Sequence, residues 1–363
     1  MPSMNVDVII LGAGALGVST AYHLASRGIR VLVLEREMLP ACHASGKNAG
    51  MIRQLYRHEQ LTDWTTRSIR DWPDTLKKSS FRETGSYVVG RRLPDHHSEL
   101  FEERIVRVNG KEPGMAVSVY CPTDGLLDSP RYVNDLAAHA KQRGATFAFK
   151  QHVTLVDRMG ARLRVQTALG ESFEASWVVN AAGPWLNDFL HPELGASTVA
   201  AAPFARHLFV VNGFPDGYMP EPDCGFYWNE ADSWYMRRWD ANTRLISICD
   251  RLPATPESFV PDPSRNEKLA NVLLSALPEV APALRIERSW HCFRTYTDDQ
   301  LPVWGEDPAV PGLFWLAAFG GFGMSTSFAA GMDAAKHISG EAARVIPDFL
   351  PTRFHAARKS SAG

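Results

Sequence analysis

The segment Leu11-Gly12-Ala13-Gly14-Ala15-Leu16-Gly17 restricts the fold of this 363-residue chain more than any other. It follows Val6-Asp7-Val8-Ile9-Ile10, a short and nearly continuous apolar run of the kind a strand buried on both faces requires. After it, Val18–Arg27 reads as a helix, with Val18, Ala21, Tyr22, Leu24 and Ala25 spaced to face a sheet and Gly28 as the stop. Ile29–Leu34 is a second buried strand, ended by Glu35 and Arg36. Strand, glycine turn, helix and strand form a βαβ unit, which commits the N-terminal region to a parallel sheet. Gly12 makes the tight turn, Gly14 lets the backbone approach a pyrophosphate, and Gly17 lets helix and strand pack closely. The helix start, with Ala15 and Leu16, offers free N–H groups and a positive dipole end to phosphates. Glu35, roughly 20 residues on, is placed to accept hydrogen bonds from ribose hydroxyls. This fingerprint serves NAD and FAD alike.

Further along, Gly85–Val89 and Ala116–Tyr120 read as strands and Ser129–Arg143 as a helix, capped by Ser129, with Pro130 in its first turn and Gly144 ending it. Thr146–Phe149, Val153–Val156, Leu163–Thr167 and Ser176–Asn180 are strand candidates. Residues 204–250, rich in aromatics and turns, predict an antiparallel sheet. Asn266–Leu277 is a helix, and Gly312–Ala318 a strand that leads through glycines into a helix over Ala329–Ile338. The tail after Pro351 is basic and polar, and its end is expected to be disordered.

A hydrophobic content of 45% over this length suggests about two domains. The formal net charge is −2 without a block of like charge, which argues against nucleic-acid binding. Five cysteines form no CxxC pair, so neither a zinc site nor a disulfide framework is expected, and no metal. No apolar run reaches the ~18 residues of a spanning helix. The expected location is cytoplasmic, with peripheral attachment to the inner membrane face as the alternative.

Three more segments narrow the cofactor. His43-Ala44-Ser45-Gly46-Lys47-Asn48-Ala49-Gly50, Val178-Val179-Asn180-Ala181-Ala182-Gly183-Pro184-Trp185 and Phe319-Gly320-Gly321-Phe322-Gly323-Met324-Ser325-Thr326-Ser327 follow the glycine turn in order. Together they resemble the FAD-contacting segments of the D-amino-acid oxidase, glycine oxidase and sarcosine oxidase superfamily, with the nearest likeness to D-arginine dehydrogenase-like D-amino-acid dehydrogenases. The resemblance implies FAD, held by Arg36, Val153 and residues of these segments. It implies an α/β fold: a Rossmann-type (GR2-like) FAD-binding domain over 1–80, 135–203 and 285–363, with a mainly antiparallel substrate domain over 81–134 and 204–284. Small residues over Ser45–Gly50 would let the chain lie flat on a flavin ring. Gly320, Gly321 and Gly323 would bring N–H groups and a helix start to its N1–C2=O edge.

The same resemblance implies oxidation of an amino acid to the imine, by hydride transfer from Cα to flavin N5, and hydrolysis to the 2-oxo acid. The protein must then hold a carboxylate, best with the planar fork of an Arg. Arg294, in Trp290-His291-Cys292-Phe293-Arg294-Thr295-Tyr296, matches that position; Tyr56, Tyr235 and Arg206 match other pocket positions. Read without the resemblance, Arg294 and Arg206 are sheet-edge charges and the tyrosines half-buried packing residues. His43, His207 and His291 invite acid–base roles that a hydride mechanism does not need. Cys292 lies near the place of a flavin-linked Cys in sarcosine oxidase-like relatives, although its flanks match the non-covalent pattern. No acidic residue matches a guanidinium subsite; Glu83 is offset. The aromatic stretch Phe226–Trp239 reads equally as an apolar pocket or as sheet core. A small amino acid is the expected substrate and a quinone, dye or oxygen the electron acceptor, a dehydrogenase being favoured. The alternatives are an FAD-bearing subunit of a heteromeric amine, opine or proline-type dehydrogenase, a non-catalytic FAD-binding protein, and a flavin hydroxylase.

Overall fold

The computed structural model describes residues 6–107, 115–221 and 224–355. The expected disorder at the end of the tail concerns residues outside these limits. Its centre is a six-stranded sheet in the order Val303–Glu306, Leu313–Ala317, Trp177–Asn180, Val8–Leu11, Val31–Leu34, Thr146–Ala148. All neighbours are parallel except Val303–Glu306. The two strands of the βαβ unit are fully buried, as their unbroken apolar runs require. One face of the sheet carries the helices Ala15–Ala25, Glu59–Asp71, Ser129–Gln142 and Gly323–Ile338. The other carries a three-stranded meander, Val153–Met159, Arg162–Thr167 and Ser172–Ala175. Among the described residues no helix is long and apolar enough to cross a membrane.

The helix after the glycine turn starts at Ala15, three residues before the apolar spacing begins, because Gly14 itself is the N-cap. It is buried almost all round. Gly331 lets the Gly323–Ile338 helix approach so closely that a Cβ there would lie 2.7 Å from Ser19 Oγ. His23 is caught between the two helices, its Nε2 3.1 Å from the Phe328 carbonyl. Burial pushes its pKa down to about 3. Folded His23 is therefore neutral while the unfolded chain protonates it below about 6.5. The stability tied to it is complete above pH 6.5 and drains as pH falls towards 3, by about 1.4 kcal/mol per unit. His23→Gln, which keeps a donor for the carbonyl, is expected to flatten the acid limb of Tm against pH between 6 and 4. An unchanged slope would refute this role.

The Ser129–Gln142 helix is capped differently from the expectation. Asp128, not Ser129, is the N-cap, its carboxylate accepting from the Arg131 N–H at 3.2 Å. A carboxylate at that position also complements the dipole. Ser129 is the first helical residue, and its hydroxyl donates to Asn48 Oδ1 at 2.9 Å.

The second large sheet has nine strands. It is mainly antiparallel, with one parallel pair between Phe226–Asn229 and Ser86–Val89. Its longest ladder joins Ala201–Asn212 to Arg285–Thr297. The alternation in these strands sends two sets of side chains to opposite faces. Phe209, Val211, Tyr227, Trp234, Met236 and Ile246 form a core with the Ser264–Ala276 helix. Leu208, Val210, Tyr235, Leu245 and Cys292 pack instead towards Ala49. The aromatic stretch 226–239 is thus divided: Tyr227 and Trp234 are sheet core, while Trp228 and Tyr235 face the other way.

Candidate active site

A cleft of about 1390 Å3, partly open to solvent, runs along the carboxyl ends of the parallel strands. Open α/β sheets bind their ligands there. Gly12, Gly14, Ala15 and Leu16 line it together with Glu35, Arg36, Ala44, Ser45, Asn48 and Val153. Ala182, Gly183, Trp185, Gly320, Gly321, Gly323 and Met324 complete this convergence of distant segments. Of the other residues expected at the cofactor, Gly17, Ala49, Gly50, Phe322 and Ser325 stand behind the lining. Gly17 packs helix on turn: a Cβ there would lie 2.0 Å from the Gly12 carbonyl oxygen. Ala49 belongs to the cluster around Tyr235, Gly50 sits against the Leu127 carbonyl, Phe322 packs edge-on to Tyr56, and Ser325 is buried in its helix.

The cradle has the chemistry of a dinucleotide site. Gly12, at φ +101°, would place a Cβ 2.7 Å from the Ala181 carbonyl oxygen, so only glycine fits between the strands. Neither helix that starts at the cleft, Ala15–Ala25 or Gly323–Ile338, is capped by the side chain of its own N-cap residue, Gly14 or Phe322, or has an acidic residue in its first turn. Their positive ends are left for an anion. Glu35 has a second task besides the expected ribose contact. Its carboxylate accepts from the Ala13 N–H at 2.6 Å and the Glu37 N–H at 2.9 Å, which pins the glycine turn to the second strand. Ser45 Oγ accepts from the Ala15 N–H at 2.9 Å. Arg36 lies 4.2 Å over the Trp185 ring, and the Trp185 indole N–H donates to Glu257.

The sequence reading missed Gln151, His152, Asp188 and Leu316–Ala318, which also line the cleft. Gln151 and His152 follow a strand that was recognised, and the position just past the carboxyl end of a parallel strand was the available signal.

At the other end of the cleft stands Arg294, on the Arg285–Thr297 strand. Among the described residues no carboxylate pairs with it. Gly321 makes room for it, since a Cβ there would lie 2.5 Å from Arg294 Nη1. Burial opposes its charge, but Tyr296, Tyr235 and Cys292 more than offset this and hold its pKa above the ordinary arginine value. Correspondingly, Tyr296 resists the effect of its own burial because Arg294, Arg206 and Arg251 surround it, and its phenol is more acidic than usual.

Tyr235 is fully buried on the Trp234–Arg238 strand, and among the described residues its hydroxyl has no partner at full hydrogen-bond geometry, Ser247 being its polar neighbour. Burial pushes its pKa up while Arg294 and Arg206 pull it down. Arg206 is buried rather than at a sheet edge. Its Nε and Nη2 donate to the carbonyls of Asp250 and Cys249, each at 3.2 Å. Tyr56 is buried against Phe322 at 5.2 Å between ring centroids. Tyr56, Tyr235 and Arg206 do not line the cleft itself; they stand beyond its Arg294 end. Glu83 is exposed on a small separate sheet.

Of the histidines, His43 lines the cleft, 2.9 Å from Glu37 Oε1. His207 is paired with buried Asp250 at 2.7 Å, and His291 packs against Phe259. Cys292 lines the cleft with its Sγ 3.6 Å from the Ala44 carbonyl oxygen. Burial pushes its thiol pKa up despite Arg294 and Arg206 nearby.

A parallel sheet with a glycine turn leading into a helix N-terminus, and a second sheet that brings Arg294 to the cleft, have the build of a dinucleotide-binding protein. Residues 7–337 match the family described as FAD dependent oxidoreductase (DAO), and the chain belongs to that family. It is 26% identical over 366 residues to the uncharacterized oxidoreductase YurR of Bacillus subtilis, covering 92% of this chain and 95% of that one. It is 25% identical to one of the subunits of opine oxidase from Agrobacterium tumefaciens, covering 97% of this chain and 98% of that one. Its fold matches that of L-proline dehydrogenase from P. horikoshii with a TM-score of 0.83, at 18% identity over 98% of this chain and 99% of that one.

Proposed function

We propose that this protein oxidises an amino acid (a D-amino acid, glycine or an N-methyl or cyclic amino acid) to the imine, which water hydrolyses to the 2-oxo acid. The observation that carries this reading is Arg294: a guanidinium without a carboxylate partner, facing the cleft beside Gly321. FAD bound in the cleft would supply the chemistry, accepting hydride from the substrate Cα at N5. Arg294 would take the substrate carboxylate in a bidentate grip. The orphan hydroxyl of Tyr235 would add a donor to the same carboxylate, as a buried phenol without a partner requires one. Arg206, fixed on backbone carbonyls, would raise the positive potential behind it, and Tyr56 would wall the pocket against Phe322. The positive end of the Gly323–Ile338 helix would stabilise negative charge arriving on the neighbouring ring. Holding these groups in place leaves little proton chemistry for His43, His207 or His291.

Residues 1–80, 135–203 and 285–363 would form the cofactor domain, from which Arg294 and Tyr56 reach the substrate, and 81–134 and 204–284 the substrate domain. The flavin would be held without a covalent link, since the flanks of Cys292 match the non-covalent pattern and burial pushes its thiol pKa up, away from thiolate reactivity. We favour a dehydrogenase passing electrons to a quinone or dye-type acceptor over an oxidase using oxygen, in the cytoplasm. A second reading, an FAD-bearing subunit of a heteromeric amine dehydrogenase, draws on the full-length likeness to an opine oxidase subunit. Anaerobic mixing with D- and L-amino acids, glycine, sarcosine and proline derivatives should bleach the flavin absorbance with at least one of them. Bleaching by none would end the amino-acid reading, and the rate of reoxidation in air would separate oxidase from dehydrogenase.

A further inference from the structure

The cations beyond the Arg294 end outnumber what a single carboxylate would neutralise. Arg53, directly after the Met51–Ile52 strand, is only 7% exposed. Its Nη1 makes no hydrogen bond. The nearest carboxylate is Glu230, 3.5 Å away, but Glu230 is held by Arg91 at 2.5 Å. Two guanidinium groups therefore share one carboxylate. Burial, and then the repulsion of Arg53, lower the pKa of Arg91, against the pull of Glu230.

The place of Arg53 connects this excess to the site. Its guanidinium lies 4.2 Å over the Trp228 ring and 5.0 Å from the centre of the Tyr56 ring. Trp228 lies in turn 4.9 Å from Tyr235, and Tyr56 5.2 Å from Phe322 of the C-terminal glycine loop. Arg53 is thus one ring removed from Tyr235 on one side, and on the other from the glycine loop whose Gly321 lies against the Arg294 guanidinium.

We propose that the substrate is an amine bearing two carboxylates, with the first held by Arg294 and Tyr235 and the second by Arg53. This rests on the amino-acid reading above and narrows it. A buried guanidinium sharing its only counter-charge is costly until an anion arrives. Clamped between two aromatic faces, it keeps its in-plane donors for a planar acceptor such as a carboxylate. A basic substrate side chain would be repelled at the same place, and an apolar one would leave the charge uncompensated.

The test uses the holoenzyme and two secondary amines of similar size, N-ethylglycine and iminodiacetate, which differ in the second carboxylate. The readout is kcat/KM for anaerobic flavin reduction. The native enzyme is expected to prefer iminodiacetate at least tenfold. Arg53→Met should reduce that preference at least tenfold, and Arg53→Lys should restore part of it. Flavin content and Tm, read on the same preparations, separate this from misfolding; Glu230 keeps Arg91 in either variant. Equal use of the two amines by the native enzyme, or a preference untouched in Arg53→Met, would overturn the second subsite while leaving the amino-acid reading intact. If neither these nor any amino acid reduces the flavin, the amino-acid reading itself falls.

Discussion

In Arg294→Ala, the protein is expected to keep its FAD and to lose at least a hundredfold in kcat/KM for every amino acid that the native enzyme oxidises. A buried charge-assisted pair that loses one partner costs about 3–5 kcal/mol, and every 1.4 kcal/mol is tenfold. The loss should fall mainly on KM if the carboxylate grip is uniform through the reaction, and on kcat as well if it sets the distance from Cα to N5. Arg294→Lys keeps the charge but not the fork, so it should stand between the two. Cofactor affinity should survive, because the glycine turn and the start of the Ala15–Ala25 helix are built by segments other than the Arg285–Thr297 strand. Stopped-flow reduction and the visible spectrum measure both quantities on one sample. An unchanged KM and kcat would show that Arg294 is a structural cation.

The cofactor half of this protein was legible in its sequence because it is built locally. Strand, turn and helix lie within 34 residues, and the roles of Gly12 and Gly17 follow from backbone contacts that any side chain would obstruct. The start of the helix was read three residues late because its first turn is the glycine turn itself, where apolar spacing carries no signal. Among the elements not foreseen, two escaped for opposite reasons. The Glu59–Asp71 helix had a readable signature: His58 accepts from the Gln60 N–H as a cap, Glu59 lies in the first turn, and Leu61, Trp64, Thr65, Ser68 and Ile69 turn inward. The Arg285–Thr297 strand had none, since its first residues are exposed and polar and its partner lies some 80 positions upstream. That non-local ladder carries Arg294. The residue was recognisable from its flanks, but the absence of a partner carboxylate appears only once the sheet is assembled. Arg53 is the extreme case: nothing in its neighbours along the chain tells that it is buried, or that Arg91 takes most of its counter-ion.

Gly17→Val should be the most damaging single change in the cofactor cradle. Its Cβ would lie 2.0 Å from the Gly12 carbonyl oxygen, 3.2 Å from Gly12 C and 3.2 Å from Ile10 Cγ2. Two of these neighbours are backbone, and the third is a fully buried side chain, so no flexible side chain can yield. The Ala15–Ala25 helix must therefore move off the sheet. It cannot do so alone, because Gly331 brings the Gly323–Ile338 helix onto Ser19 and Thr20, and His23 is wedged against Phe328. A shift at Gly17 thus disturbs both helix N-termini that face the cleft. The variant is expected to purify without bound FAD, to need at least a hundredfold more FAD for half-saturation, and to unfold at a markedly lower temperature. Overpacking of this kind costs about 1–3 kcal/mol where side chains can adjust, and more is expected against rigid backbone. Gly28→Ala provides the comparison. Its φ of +75° is strained for alanine, but a Cβ there meets nothing within 4 Å, and the residue lies at the far end of the same helix. That change should cost some stability and leave FAD affinity intact. Equal loss of FAD in both variants would mean that the helix as a whole, and not the close contact at Gly17, governs cofactor binding.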